Sequence, residues 1–367
     1  MTAPLTSLIA SLPATVPFVG PEKQERDRDR VFAARIGANE SVFGPSPMTI
    51  EAMQRAAPDM WMYCDPNNHD LREALADHHG VPPESIVIGE GIDGLLGYTV
   101  RLFVEQGQKV VTSAGAYPTF NYHVTGFGGE LVRVPYANDS EDPDALADAA
   151  HRSGARLVYI ANPDNPMGTW HSAERIGRLI EAMPAGCLLC LDEAYIEFAP
   201  DGTAPAWDAA DPRVIRFRTF SKAYGMAGLR IGYAITAPET AAAFDRVRNH
   251  FGVSRMAQIA ALAALGDNAH LASVQAGVAS ARIRIGEIAT ANGLTSLASA
   301  TNFVAVDCGG DGAFARRVLA GLLARDIFVR MPGAAPQDRC IRVGAGRDCD
   351  LDLLAAALPE ALAEAKG

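Results

Sequence analysis

The chain has 367 residues, of which 49% are hydrophobic and 20% charged. That supplies apolar material for a large packed core and excludes a disordered chain, a collagen-like chain and a disulfide-held mini-protein. Lys and Arg total 32 against 43 Asp and Glu, a net charge of −11. The chain therefore lacks the overall positive field of a nucleic-acid or anionic-membrane binder, while a local basic pocket for a small anion stays compatible with it.

The first stretch, MTAPLTSLIASLPATVPFVG, has no Lys or Arg before Lys23, so no secretory leader is expected. No window holds the roughly 18 uninterrupted apolar residues that span a bilayer. Residues 1–40 read as an arm with one charged cluster, EKQERDRDR. A turn-rich stretch, ANESVFGPSP, and a helical pattern, MTIEAMQRAA, follow. From residue 85 short β-branched runs alternate with amphipathic segments: SIVIG, KVVTS, ELVRVPY, RLVYIAN, CLLCLDE, VIRFRTF and RIGYAI. Strands alternating with helices predict a three-layer α/β domain, its sheet mostly parallel with helices on both faces. After about residue 240 the texture becomes Ala-rich and helical, followed by two strand runs, TNFVAVDCG and CIRVGAG, around the helix AFARRVLAGLLARD. The expected organisation is an arm (1–40), a large α/β domain (41–240) and a small α+β domain (241–367) that includes part of the arm.

Of the six cysteines only Cys187 and Cys190 are close, in an apolar run where residues three apart point to opposite faces. Buried reduced thiols are expected rather than a redox pair or zinc site, which fits a reducing cytoplasm. The eight histidines predict no metal site; His78 and His79 read as solvated residues at a helix end before Gly80.

Ligands of open α/β sheets bind at the carboxyl ends of the strands, so the residues after each run carry the functional reading. GEGIDG follows the first run, Tyr117 the second, Asn162 and Asn165 follow RLVYI, Asp192 and Tyr195 follow CLLCL, and Thr219, Ser221, Lys222 and Arg230 follow VIRFR. Together they describe a pocket for a flat, phosphorylated, nitrogen-containing ring held by an amine. GEGIDG matches the dinucleotide glycine pattern, but the next strand ends KVVTSAGAYP, without the acidic residue that would hold a ribose. A phosphate at the helix N-terminus needs no such residue. A lysine directly after a strand is costly to bury unless it is paired or functional, and a desolvated lysine is a nucleophile toward carbonyls.

FSKAYGMAGLRIGY resembles the lysine motif of the aspartate-aminotransferase superfamily, the fold-type I pyridoxal-phosphate enzymes. ANESVFGPSP, ANPDNPMG and LDEAYIEF, in that order, are similar to the histidinol-phosphate aminotransferase branch, and the resemblance runs from about residue 17 to the end of the chain. It implies pyridoxal 5'-phosphate as cofactor. Lys222 would bond its aldehyde as an imine and shuttle the substrate proton. Asp192 would keep the ring nitrogen protonated, which makes the ring an electron sink. By the same resemblance Tyr117 stacks on the ring, and Asn165 and Tyr195 hydrogen-bond its 3'-oxygen. Gly91, Ile92 (through its N–H), Thr219, Ser221 and Arg230 cup its phosphate. Tyr63 reaches the phosphate of a neighbouring subunit, implying a homodimer with shared sites.

For the substrates, an amino donor and a 2-oxo acid, the resemblance implies Arg342 and Arg330 as anion-binding residues and Asn302 as a substrate-side amide. The chain departs from the branch in four places. Phe18 stands where a tyrosine is usual, Cys64 where a proline follows Tyr63, and Ile92 and Gly94 where a small and an acidic residue are common. The missing hydroxyl keeps an aromatic amino acid aminotransferase open beside a histidinol-phosphate one. An amino-acid-phosphate decarboxylase on the same scaffold and a nicotinamide-dependent oxidoreductase using GEGIDG also stay open. A DNA-binding regulator does not fit, because the arm is too short to hold a DNA-binding module.

Overall fold

The computed structural model describes residues 4–14, 19–208 and 210–367; Phe18 lies outside the described residues. Twelve strands occur among them: β1 (Ala34–Arg35), β2 (Ile86–Gly89), β3 (Lys109–Ser113), β4 (Glu130–Val134), β5 (Leu157–Ala161), β6 (Leu188–Asp192), β7 (Val214–Thr219), β8 (Gly232–Ile235), β9 (Thr295–Ser296), β10 (Phe303–Asp307), β11 (Ile327–Phe328) and β12 (Cys340–Gly344). Seven form one sheet in the order β2-β8-β7-β6-β5-β3-β4. It is parallel except for β8, which runs antiparallel to both β2 and β7. That reversal was not read from the sequence, and it places the start of β8 beside the carboxyl ends of its neighbours.

The central strands are buried along their whole length, as a sheet covered on both faces requires. Alternation sends Leu157, Tyr159 and Ala161 into one layer, against the helices Gly91–Phe103 and Pro118–Gly126, through Leu95, Leu96, Phe120 and Val124. Val158 and Ile160 enter the other, against Leu146 of Pro143–Ser153 and Ile176 of Ala173–Glu181. Helix limits follow local chemistry: Ser46 caps Pro47–Ala56 by accepting from the Thr49 N–H at 3.1 Å, and Gly154 closes Pro143–Ser153 in the left-handed region.

The antiparallel sheet β12-β10-β9 packs against the helices Gly312–Ala324 and Asp348–Lys366. A parallel pair, β1 with β11, ties the segment after the arm to this region. One continuous apolar cluster runs from Leu71 and Ile88 through Tyr233 to Phe303 and Leu358, so the two sheets share a core. All six cysteines are unpaired, five of them buried. His78 is exposed, but His79 is not solvated in the way its place at a helix end suggested. Its ring meets the Tyr233 hydroxyl at 2.8 Å and packs on Trp207, and burial first, then Arg218, pushes its pKa down to about 3. Among the described residues no helix is long and apolar enough to cross a membrane.

Candidate active site

The register of the large sheet brings its functional ends level. Ala161 of β5 lies opposite Asp192 of β6, Asp192 opposite Phe217 of β7, and Thr219 opposite Gly232 of β8. A cavity of about 690 Å³ opens there, bounded on its far side by Arg330, Met331 and Arg342 from the C-terminal region. A smaller hollow of about 390 Å³ along β2, lined by residues such as Asn67, Arg72 and Glu239, brings no comparable nucleophile together.

Asp192 sits in the cavity wall, 5% exposed. The Tyr159 hydroxyl donates to its Oδ2 at 2.7 Å and the Ala194 N–H to its Oδ1 at 3.0 Å. Burial raises its pKa to about 6 against the pull of these two donors. The next residue, Glu193, is clamped by Arg216 and Arg218 of β7. Burial alone would raise Glu193, but Arg218 and Arg216 outweigh it and hold the carboxyl low. This buried cluster, with Arg216 stacked 3.8 Å over Trp207, locks the ends of β6 and β7 together.

Lys222 follows β7 in a turn closed by the Gly225 N–H donating to the Lys222 carbonyl at 3.0 Å. Gly225 has φ +69°, and a Cβ there would run into the Gly44 carbonyl, so the lysine turn packs on the ANESVFGPSP turn only with glycine at 225. The Lys222 amine donates to the Asn39 carbonyl at 3.0 Å. Burial first, then Arg342 and Arg230, lower its pKa from 10.5 to about 8, which supplies a usable fraction of free amine near neutrality.

At the glycine loop, the helix Gly91–Phe103 begins at Gly91, whose φ is +76°. A Cβ on Gly91 would stand 2.5 Å from Nη2 of Arg230, so glycine is what lets the guanidinium close over the helix start. Arg230 also donates to Ser221 Oγ at 3.3 Å, and the Ser221 N–H donates to Thr219 Oγ1 at 3.0 Å. Gly91 itself is buried beneath Arg230, while Ile92, Thr219, Ser221 and Arg230 line one end of the cavity, where N–H groups, hydroxyls and a cation converge as an anion requires.

Arg342 is half-buried and donates to Asn165 Oδ1 at 2.6 Å and to the Gly37 carbonyl at 3.2 Å, while its buried Nε has no partner. Burial first lowers its pKa to about 10, with Arg330 adding repulsion. Arg330 pairs its backbone with Arg342 and donates from Nη2 to the Val19 carbonyl at 2.7 Å. Behind Asn165, Asp164 accepts from Tyr136 at 2.9 Å, and burial pushes its pKa up to about 7 beside Glu141.

Tyr117, Asn165 and Tyr195 line the same cavity. Asn302, expected on the substrate side, lies outside this cavity, and Tyr63, expected to reach a neighbouring subunit's site, lies away from it too. Asn302 is not on the substrate side: it is 1% exposed, behind the wall, where its amide donates to the Asn39 and Glu40 carbonyls at 3.2 Å each. Tyr63 lies on the outer surface, 80% exposed, its ring 5.1 Å from that of Phe251. Sequence reasoning missed Tyr159 and Asn39. Tyr159 is the one hydroxylated side chain in the run RLVYIA, the signal that could have found it; Asn39 was inside a recognised motif without a role.

The family described as aminotransferase class I and II matches residues 35–358. A histidinol-phosphate aminotransferase of Anaeromyxobacter sp. is 37% identical over 328 residues, 87% of this chain and 89% of that protein. The one from Moorella thermoacetica is 32% identical over 97% of this chain and 92% of its own. Among solved structures, the histidinol-phosphate aminotransferase from Sinorhizobium meliloti, in complex with pyridoxal 5'-phosphate, superposes with a TM-score of 0.96 at 56% identity, covering 99% of this chain and 98% of that one. With this cavity, this sheet order and these matches over nearly its whole length, the chain belongs to the class I and II aminotransferases.

Proposed function

We propose that the chain transfers the amino group of histidinol phosphate to 2-oxoglutarate, forming glutamate, with pyridoxal 5'-phosphate as cofactor. One observation carries the reading: a half-buried amine at Lys222, its pKa lowered, and a buried carboxylate at Asp192 line one cavity with an anion cup at one end and two arginines at the other. The residues fit the cofactor. The Gly91 cradle leaves room for Arg230 over the helix start. Each Asp192 oxygen accepts from one donor and keeps a lone pair for a ring N–H. The names of the relatives supply the substrate.

When bound, the cofactor supplies an aldehyde that takes up the amino group and a ring that accepts the electron pair released at the substrate carbon. Lys222 would hold that aldehyde through its free amine, with loss of water, and once displaced by the substrate amine it would carry the proton from the substrate α-carbon to the accepting carbon. Asp192 would accept a hydrogen bond from the ring N–H and hold that proton in place. Tyr117 covers one ring face, and Asn165 and Tyr195 address the 3'-oxygen. Ile92 through its N–H, Thr219, Ser221 and Arg230 grip the cofactor phosphate beside Gly91. Arg342 and Arg330 take the substrate phosphate, and in the second half-reaction Arg342 takes a carboxylate, since a planar fork suits either anion.

The same reading includes a homodimer in which Tyr63 reaches the neighbouring site. Tyr63, 80% exposed, and Phe251 form an aromatic pair that a second copy would cover, and Trp61, two residues before Tyr63, is also exposed. It also includes the arm (1–40), large (41–240) and small (241–367) divisions and a cytoplasmic location, supported by the unpaired cysteines. The test is a half-reaction screen. The cofactor-loaded protein is mixed with histidinol phosphate, with aromatic amino acids or with glutamate, and loss of the visible absorption band is followed. Histidinol phosphate and glutamate are expected to bleach it in wild type, and Lys222→Ala to show no turnover. Faster bleaching by an aromatic amino acid, or carbon dioxide release without glutamate-dependent bleaching, overturns the assignment.

A further inference from the structure

Asn39 joins four distant parts of the chain. It is the second residue of the ANESVFGPSP stretch that follows β1, 4% exposed, with φ +58°. Its carbonyl accepts from the Lys222 amine at 3.0 Å and from the Asn302 amide at 3.2 Å. Its side-chain Nδ2 donates to the Tyr195 hydroxyl at 3.0 Å. Its Oδ1 is buried with no hydrogen-bond partner, so the one contact the side-chain amide makes is the donation to the phenol.

We propose that Asn39 is a positioning residue: its main-chain carbonyl parks the Lys222 amine, and its side-chain amide turns the Tyr195 O–H into the cavity. The inference rests on the pyridoxal-phosphate reading of the site. A phenol oxygen that receives an N–H on one lone pair keeps its own proton free to donate elsewhere. With Asn39 on its protein side, Tyr195 offers that proton toward the cavity it lines. A carboxylate at position 39 would do the reverse, taking the phenol proton and leaving only a lone pair for the ligand. The left-handed backbone is needed as well, because it aims the carbonyl at position 222. Asn and Gly tolerate that conformation, whereas Ala and β-branched residues resist it. Asn302, expected at the substrate, is assigned the task of bracing this carbonyl from behind.

Three variants address the side-chain role, and a fourth, Asn39→Val, addresses the carbonyl. Asn39→Gly keeps the left-handed carbonyl and deletes the amide. Asn39→Asp keeps the shape and reverses the hydrogen bond. Tyr195→Phe removes the phenol. The first readout is the pH titration of the visible band of the pyridoxal-phosphate-loaded protein. Its midpoint is expected to rise by about one unit in Asn39→Gly, Asn39→Asp and Tyr195→Phe, because the ionised 3'-oxygen loses a charge-assisted donor. The double variant Asn39→Gly with Tyr195→Phe is expected to shift no further than Tyr195→Phe alone. The second readout needs no cofactor: the pH dependence of Lys222 reductive methylation in the apoprotein, followed by peptide mass. It is expected to match wild type in Asn39→Gly and to move in Asn39→Val, which strains the carbonyl out of place. An unshifted band in Asn39→Gly, additive shifts in the double variant, or an unchanged Lys222 profile in a folded Asn39→Val each overturn the inference and leave the cofactor reading standing. A wild-type protein that develops no visible band with pyridoxal phosphate overturns both.

Discussion

Replacing Tyr159 by Phe removes one oxygen from the floor of the cavity and nothing else. The ring stays, and so does its stacking on Phe120, with centroids 4.5 Å apart and planes within 16°. What is lost is the 2.7 Å donation to Asp192 Oδ2. Burial already raises Asp192 to about 6, and this bond is the largest of the influences, with the Ala194 N–H and the Lys222 charge, that hold it from rising further. A hydrogen bond to a charged acceptor contributes about 1.5–3 kcal/mol, and one pKa unit is about 1.4 kcal/mol, so the variant's Asp192 should titrate about one to two units higher. The sign follows from which form binds. The ionised carboxylate is the one that receives the ring N–H, and its fraction falls as pH drops through the pKa of the free protein. A higher pKa brings that loss to higher pH. Pyridoxal-phosphate affinity for the apoprotein, measured by fluorescence titration across pH, should therefore begin to weaken near pH 6 in wild type and about one to two units higher in Tyr159→Phe, with little change at alkaline pH. Superimposable profiles would refute the role given to this bond.

Arg342→Ala removes a half-buried guanidinium that holds Asn165 and faces the substrate end of the cavity, which costs about 2 kcal/mol or more. KM for histidinol phosphate should rise about 30-fold or more, and steady-state kinetics showing an unchanged KM would remove Arg342 from the substrate site. Gly91→Ala forces a left-handed alanine against Arg230, so cofactor affinity by equilibrium dialysis should fall at least about tenfold. Glu193→Ala leaves Arg216 and Arg218 buried without their partner; urea unfolding should show a loss of about 3–5 kcal/mol, and a loss under about 1 kcal/mol would contradict the clamp.

Local chemistry alone determined much of this protein. Short continuous apolar runs bounded by turn residues suit strands buried on both faces, so the central strands were readable to within a residue or two at their ends, and glycine closures marked where helices stop. Residues after strand ends are laid at one edge of a parallel sheet by construction, and for that reason Tyr117, Asn165, Asp192, Ser221 and Lys222 could be grouped before any contact was known. Tertiary structure decided the rest. The antiparallel course of β8 is a matter of strand pairing, which carries no local signal, and it is what brings Arg230 to Ser221 and over Gly91. The Asp192 and Lys222 pKa values come from burial and from charges supplied by other strands. Asn39 meets Lys222 across 183 positions and Asn302 across 263, and no spacing in a sequence encodes a hydrogen bond that exists only once two separate sheets have closed on one core.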